Sequence, residues 1–391
     1  MVGGSAVAGR ASNEVRQTEV VGSLRYWWRV VNAHRFESLD QMAREENDIF
    51  GSTVDPGRCQ VRVRTTRLGK PDKLARWLHK YAYALWPLSA ARQDVTVGVE
   101  FDLTLSFWPG MEKALVPAVE AFLLYGGVGG RTRRGCGSLQ ATRLTVTQPG
   151  KQPLTYDYTA SGPGSRSESA RLPLSLGQPK TALTTGLPEC LYTYGEPVPN
   201  ARDAWAVALG AFQRFRQGEG VGRESRQGSR PGRTRYPEAD TIRTMTRTLV
   251  SSSPRAGLVT GFPRADLGLP MILHFSRGGP ADTTIQVASQ SGKRHRFTSP
   301  VITKAIQRSG GFQPMIAVLN APHVWEQAVQ LLSPQIPAAQ SLVSTDDIAL
   351  SAADRSAVGP LGGRQIREAL GHYLLDPDYH ETPWVCTRRP R

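Results

Sequence analysis

Residues 126–139 read GGVGGRTRRGCGSL. Six of the first twelve are glycine, which permits backbone conformations closed to other residues and lets the main chain approach a ligand closely. Arg131, Arg133 and Arg134 add three guanidinium groups, and the free N–H groups of such a loop bond phosphate oxygens. No Lys-Ser/Thr ends the stretch and a strand follows it, so it is not a Walker A loop. A helix precedes it, which removes the dinucleotide-binding reading of a glycine-rich turn. A solvated basic turn is the competing interpretation, but a mere turn needs neither six glycines nor three arginines. Gly126, Gly127, Gly129, Gly130, Arg131, Thr132, Arg133, Arg134, Gly135 and Gly137 are therefore the first candidates for phosphate contact.

Upstream, Leu115, Val119, Phe122 and Leu123 mark the buried side of a helix from about Glu112 to Tyr125. Before it, every odd position from Val95 to Phe107 is apolar, the period of a half-buried strand. CQVRVRTT (59–66) also alternates, with Val61 and Val63 pointing one way and Arg62 and Arg64 the other. Residues 73–92 read as a helix. From Gly22, Leu24, Trp27, Trp28 and Val31 recur at i, i+3, i+4 and i+7, one apolar helical face. That spacing favours a core role for the tryptophans and leaves Arg25 and Arg29, on the flank, as the better nucleic-acid contacts. Downstream, LQATRLTV (139–146) is a short strand. The order matches a βαββαβ ferredoxin-like unit lacking its first strand, an arrangement frequent among RNA binders.

The chain has 391 residues, with 48 Lys+Arg against 33 Asp+Glu and a formal net charge of +15. That excess favours a polyanion partner through phosphate neutralisation and counterion release. Of the basic residues 40 are Arg, the side chain that bonds phosphate bidentately and stacks on bases. A GC-rich genome raises Arg, Gly and Pro together, so the sign of the charge carries more weight than the identity of the cation. No run approaches the ~20 apolar residues of a membrane span, and no secretion signal opens the sequence. Four cysteines without a CxxC pair give no local support to a zinc site. The expectation is a reduced, cytoplasmic protein with no membrane partner, no metal and no cofactor.

The length fits two domains. Residues 1–150 form the N-terminal domain with the glycine-rich loop. Residues 151–186, rich in Gly, Pro and Ser, read as a linker. Residues 187–391 form the C-terminal domain, with a basic loop, strands at 271–275, 284–288 and 315–319, and a helical C-terminus. Between Arg214 and Arg247 there are nine Arg against four acids. Arg233, Arg235 and Tyr236, in GRTRYPE, sit in a Gly/Arg-rich loop able to order on RNA, with a plain surface loop as the equal alternative. In KRHRFTSP, residues 293–300, Lys293, Arg294, His295 and Arg296 stand beside Phe297, mixing charge with a stacking ring. Catalytic signals are poor: no HExxH, no paired-Asp metal cluster and no GxSxG elbow occur. His34 is the one candidate general base for RNA cleavage, and a lone His is usually structural.

GSLRYWWR (22–29), IFGS (49–52) with GRCQVRV (57–63), and GGVGGRTRRGCGSL (126–139) resemble the helix-and-glycine-loop signature of the RAMP superfamily of CRISPR proteins. With GRTRYPEADTIR (232–243), LGLPMILHF (267–275) and RFTSPVITK (296–304) the chain is most similar to the tail-capping RAMP subunit of type III-B effector (Cmr) complexes. The resemblance implies an α+β fold of two ferredoxin-like (RRM-like, βαββαβ) halves with inserted helices and Gly-rich loops. It implies a non-catalytic subunit contacting the guide RNA 3′ region and the 5′ end of bound single-stranded target RNA, beside backbone and tail RAMP subunits. Target cleavage then belongs to those neighbours. Arg58 and Lys304, inside two of the matching segments, complete the expected RNA contacts. The alternative is a metal-independent endoribonuclease that processes CRISPR precursor RNA, as some RAMP relatives do. Such proteins begin with a strand before the first helix, so either the start lies further upstream or VRQTEVV (15–21) serves as a degenerate strand.

Overall fold

The computed structural model describes residues 12–90, 94–157, 184–188, 190–226, 228, 232–246, 259–275, 279–288, 296–308, 310–382 and 384–388. Helix α1 (Gln17–Asn32) buries Val20, Leu24, Trp27, Trp28 and Val31. Val20 lies four residues before Leu24 and continues the same stripe. The helix therefore begins inside VRQTEVV, and the degenerate strand is overturned. Helix α2 (Leu39–Phe50) is capped by Ser38 Oγ, which accepts from the Gln41 amide at 3.2 Å. Gly51, at φ +85°, ends it.

Strands β1 (Cys59–Arg67) and β2 (Lys70–Asp72), helix α3 (Ala75–Ala90), and strands β3 (Val95–Val97) and β4 (Glu100–Phe107) follow. The single strand expected over Val95–Phe107 is two. Gly98, at φ +72°, turns the chain, so β3 pairs with β2 and β4 with β1. The apolar alternation keeps its parity across the break, which is why periodicity alone does not show it. Val61 faces Leu105 and Val63 faces Leu103, while Arg62 faces Thr104 and Arg64 faces Asp102. Helix α4 (Glu112–Tyr125) packs on α1, with the Trp27 and Tyr125 rings stacked 5.7 Å apart.

Strands β5 (Arg143–Val146) and β6 (Leu154–Asp157) form a hairpin. Then come β7 (Cys190–Tyr194), α5 (Ala201–Gln217), α6 (Glu238–Met245), β8 (Met271–Leu273), β9 (Thr283–Val287), β10 (Val301–Arg308) and β11 (Gly311–Val318). The chain continues through β12 (Val329–Leu332), β13 (Leu342–Val343), α7 (Thr345–Ala349), α8 (Ala352–Ala357), α9 (Ile366–Leu375) and β14 (Trp384–Arg388). The architecture is α+β, with antiparallel sheets throughout the described residues.

Two compact units emerge. One comprises Met1–Leu209, Val301–Ala321 and Trp384–Arg391; the other comprises Gly210–Pro300 and Pro322–Pro383. The first holds the sheet β10-β11-β7-β14 and the second the sheet β13-β12-β9-β8. Segments from the last quarter of the chain thus complete the unit that carries the glycine loop. Cys190 and Cys386, on neighbouring β7 and β14, have Cα atoms 5.7 Å apart, a separation that a disulfide can span, whereas Cys59 and Cys136 are buried apart from them. The pair is 196 residues apart in sequence and meets through strand pairing.

Candidate nucleic-acid interface

The glycine loop is closed at its base by a bridge between Gly127 and Ser138, with the Val128 amide donating to the Gly137 carbonyl at 3.0 Å. Its glycines serve the protein's own packing first. A Cβ on Gly126 would stand 2.6 Å from Trp27 Nε1, and one on Gly135 would stand 2.7 Å from the Thr303 carbonyl oxygen. Gly135, at φ +82°, also requires the left-handed region. Between these pinned ends, a short turn at Thr132–Arg134 projects the three arginines half-exposed. Gly130 is exposed at the tip, and the amides of Gly129 and Gly130 have no hydrogen-bond partner among the described residues. Two free N–H groups beside three guanidiniums make a donor set suited to an anion.

The arginines are held from below. Arg133 Nη2 donates to the Tyr26 hydroxyl at 2.5 Å, and its guanidinium lies 5.0 Å from the Tyr26 ring and 5.6 Å from Trp27. Arg134 Nη1 donates to the Val301 carbonyl at 3.2 Å, and its own carbonyl accepts from Trp205 Nε1 at 2.6 Å. The loop is thus fastened to α1, β10 and α5's first turns within one unit.

The other expected contacts separate into inward and outward groups. Arg25 donates to Glu46 and Asn47, each at 2.6 Å, and to the Gly51 carbonyl at 2.8 Å. Arg29 reaches the same Glu46 at 2.6 Å. Both therefore clamp α2 onto α1 around one buried carboxylate. Lys304 is buried, its Nζ donating to the Leu123 carbonyl at 2.8 Å and the Gly126 carbonyl at 3.1 Å. Burial pulls its pKa down to about 7. Tyr236 is also buried, its hydroxyl donating to the Phe215 carbonyl at 3.0 Å. Neither side chain offers its polar atom to solvent.

In the second unit, Arg233 pairs with Asp240 at 2.6 Å, and Arg235 donates to the Gly220 carbonyl at 2.9 Å. Arg296 is exposed, and Arg294 lies outside the described residues. Just before β1, Arg58 pairs with Asp48 at 3.1 Å; on the strand Arg64 pairs with Asp102 at 2.5 Å, while Arg62 is exposed and makes no ion pair among the described residues. Among the described residues no group of three or more His, Cys, Asp or Glu is placed to hold a metal ion. His34 Nδ1 lies 3.0 Å from the Val31 carbonyl at the end of α1.

Two rings beside these cations did not stand out in the sequence. Tyr26 seats Arg133, and Trp108 is exposed with Arg58 5.5 Å from its ring. Position was the available signal for Trp108, which follows β4 on the parity opposite its apolar face.

A family model described as the RAMP superfamily matches residues 2–140. The matched segment contains α1, the β1–β4 pair, α4 and the whole glycine loop. A Pyrococcus furiosus protein described as CRISPR system Cmr subunit Cmr1-1 is 30% identical over 143 residues, 34% of this chain and 42% of that protein. The match therefore spans less than half of that relative. Among solved structures, the apo crystal structure of Cmr1 from Pyrococcus furiosus aligns at a TM-score of 0.40 and 14% identity, over 84% of this chain and 86% of that one. A chain from the cryo-EM structure of type III-B Cmr-beta bound to cognate target RNA and AMPPnP, with ssDNA present, aligns at 0.43 and 12%, over 95% and 96%.

Proposed function

We propose that this chain is a non-catalytic, RNA-binding structural subunit of a type III-B CRISPR (Cmr) effector complex in the cytoplasm, serving antiviral defence. It caps the end of the assembly near the guide RNA 3′ region and the 5′ end of bound target RNA, against neighbouring RAMP backbone and tail subunits. Two ferredoxin-like halves are part of this reading. The observation that carries it is the tip of the glycine loop inside the matched segment, where free Gly129 and Gly130 amides stand beside Arg131, Arg133 and Arg134. Such a set binds phosphate without reading sequence, which suits a subunit that must accept any guide. The relative named as a Cmr subunit supports the assembly, and the excess of positive charge supports the ligand.

Co-expression of the full chain with its neighbouring gene products tests the proposal. The expected result is co-purification of a ribonucleoprotein containing small RNA and the other RAMP proteins. Recovery of the chain alone, free of RNA, overturns it, and cleavage of repeat RNA in EDTA by the purified chain overturns the non-catalytic role.

A further inference from the structure

The β1–β4 pair presents a second surface, separate from the glycine loop. Its inward face carries Val61, Val63, Leu103 and Leu105, packed on the core. On the outward face the register sets Gln60 opposite Ser106, Arg62 opposite Thr104 and Arg64 opposite Asp102. One step beyond the Cys59–Phe107 pair, Arg58 and Trp108 meet, the guanidinium 5.5 Å from the ring. Trp108 is 64% exposed. All eight of these outward residues are exposed.

An exposed indole offers a large π face with an apolar body to whatever approaches the surface. A protein-docking centre requires further apolar surface around the ring, so that water is excluded. Here the ring's neighbours on the face are Gln60, Ser106, Thr104 and arginines, a hydrogen-bonding surface on which Arg58 is paired with Asp48 and Arg64 with Asp102 while Arg62 makes no ion pair among the described residues. That composition suits a nucleotide: every base has a π face to stack on tryptophan, and its flanking phosphates seek cations. Arg62, exposed without an ion pair, stands four residues from Arg58 along the strand, about 13 Å at 3.3 Å per residue. The two cations therefore lie at different points along a strand of nucleic acid rather than on one phosphate. Paired bases are buried in their own stack, so the occupant is unpaired.

We infer that Trp108 is a stacking platform for one unpaired nucleobase of single-stranded RNA, with Arg58 and Arg62 holding the phosphates on its path across the β1–β4 face. The inference rests on the RNA-binding function proposed above and adds a subsite to it. Stacking releases no counterions, whereas a phosphate contact to single-stranded RNA contributes about 0.7 to the slope of log affinity against log salt. The two kinds of contact are therefore separable in one titration.

The test is binding of a fluorescein-labelled, unstructured single-stranded RNA to the full-length protein at several salt concentrations, followed by anisotropy. Trp108→Ala is expected to lose about tenfold or more in affinity with an unchanged salt slope, and Trp108→Phe to keep most of the binding. Arg62→Ala is expected to lower the slope by about 0.7. The exposed ring leaves the melting temperature of Trp108→Ala unchanged, which separates binding from folding. If the wild type binds with a steep salt slope and Trp108→Ala binds equally well, the subsite is overturned while the RNA-binding function stands. If the wild type binds no RNA, both fall. A variant that binds RNA normally but no longer assembles with neighbouring subunits assigns the ring to a protein contact and overturns the inference.

Discussion

The ammonium of Lys304, on strand β10, donates to the carbonyl of Leu123 at the end of helix α4, across 2.8 Å and 181 residues of sequence. A second bond to the Gly126 carbonyl ties the strand to the first residue of the glycine loop. A cation suits the negative end of a helix, but complete burial works against its charge and brings its pKa down to about 7.

The sign of the resulting pH dependence follows from linkage. In the unfolded chain Lys304 stays protonated to the ordinary lysine range, while in the folded protein it loses its proton near 7. Between those values the unfolded state binds more protons, so stability rises with pH. We expect the thermal midpoint to increase from pH 7 to pH 9 and the increase to shrink in Lys304→Met. Above about pH 9 the buried thiols of Cys59 and Cys136, each pushed up to about 11 by burial, act in the opposite direction. Differential scanning fluorimetry across that range checks both limbs.

Gly135→Ala is expected to destabilise the protein by about 2–4 kcal/mol. A left-handed backbone position and an overpacked contact with Trp205 and the Thr303 carbonyl contribute together. Urea unfolding measures it. Gly130→Ala, at the exposed tip, is the control and is expected to change stability far less.

Glu46 is a shared anchor rather than a bystander. Arg25 and Arg29 both bond its buried carboxylate, and each guanidinium retains some exposure to water. Glu46→Ala leaves two cations without their acid and is expected to cost about 2 kcal/mol, below the ~3–5 of a fully buried pair. Arg25→Ala is accordingly expected to lower the unfolding midpoint while leaving the salt slope of RNA binding unchanged.

Replacing Arg131, Arg133 and Arg134 together by Ala is expected to reduce the magnitude of that slope by about two units, at ~0.7 per phosphate contact. Salt titration of single-stranded RNA affinity measures it. An unchanged slope means that the loop is a structural turn.

Local periodicity made much of this molecule readable. The stripe Leu24, Trp27, Trp28 and Val31 placed both tryptophans in the core, where the structure has them. What escaped depends on distant segments. Glycines that looked suited to a ligand also admit Trp27 and Trp205, and the second of these lies 70 residues beyond Gly135. Tyr236 and Lys304 stand in basic or polar sequence yet turn inward, because backbone carbonyls at Phe215, Leu123 and Gly126 wait for their protons. The Cys190–Cys386 pair carries no local signal at all.

Strand β14 has a consequence for how the protein is made. It pairs with β7 from 190 residues later in the chain (384−194), and β10 and β11 also arrive after a long interval. At roughly 5–20 residues per second, synthesis leaves β7 waiting about 10–40 s for its β14 neighbour. During that interval an edge of the sheet stands open outside the ribosome. The unit bearing the glycine loop therefore matures only after nearly all of the described chain has emerged, and any RNA that engages it early meets a half-built host.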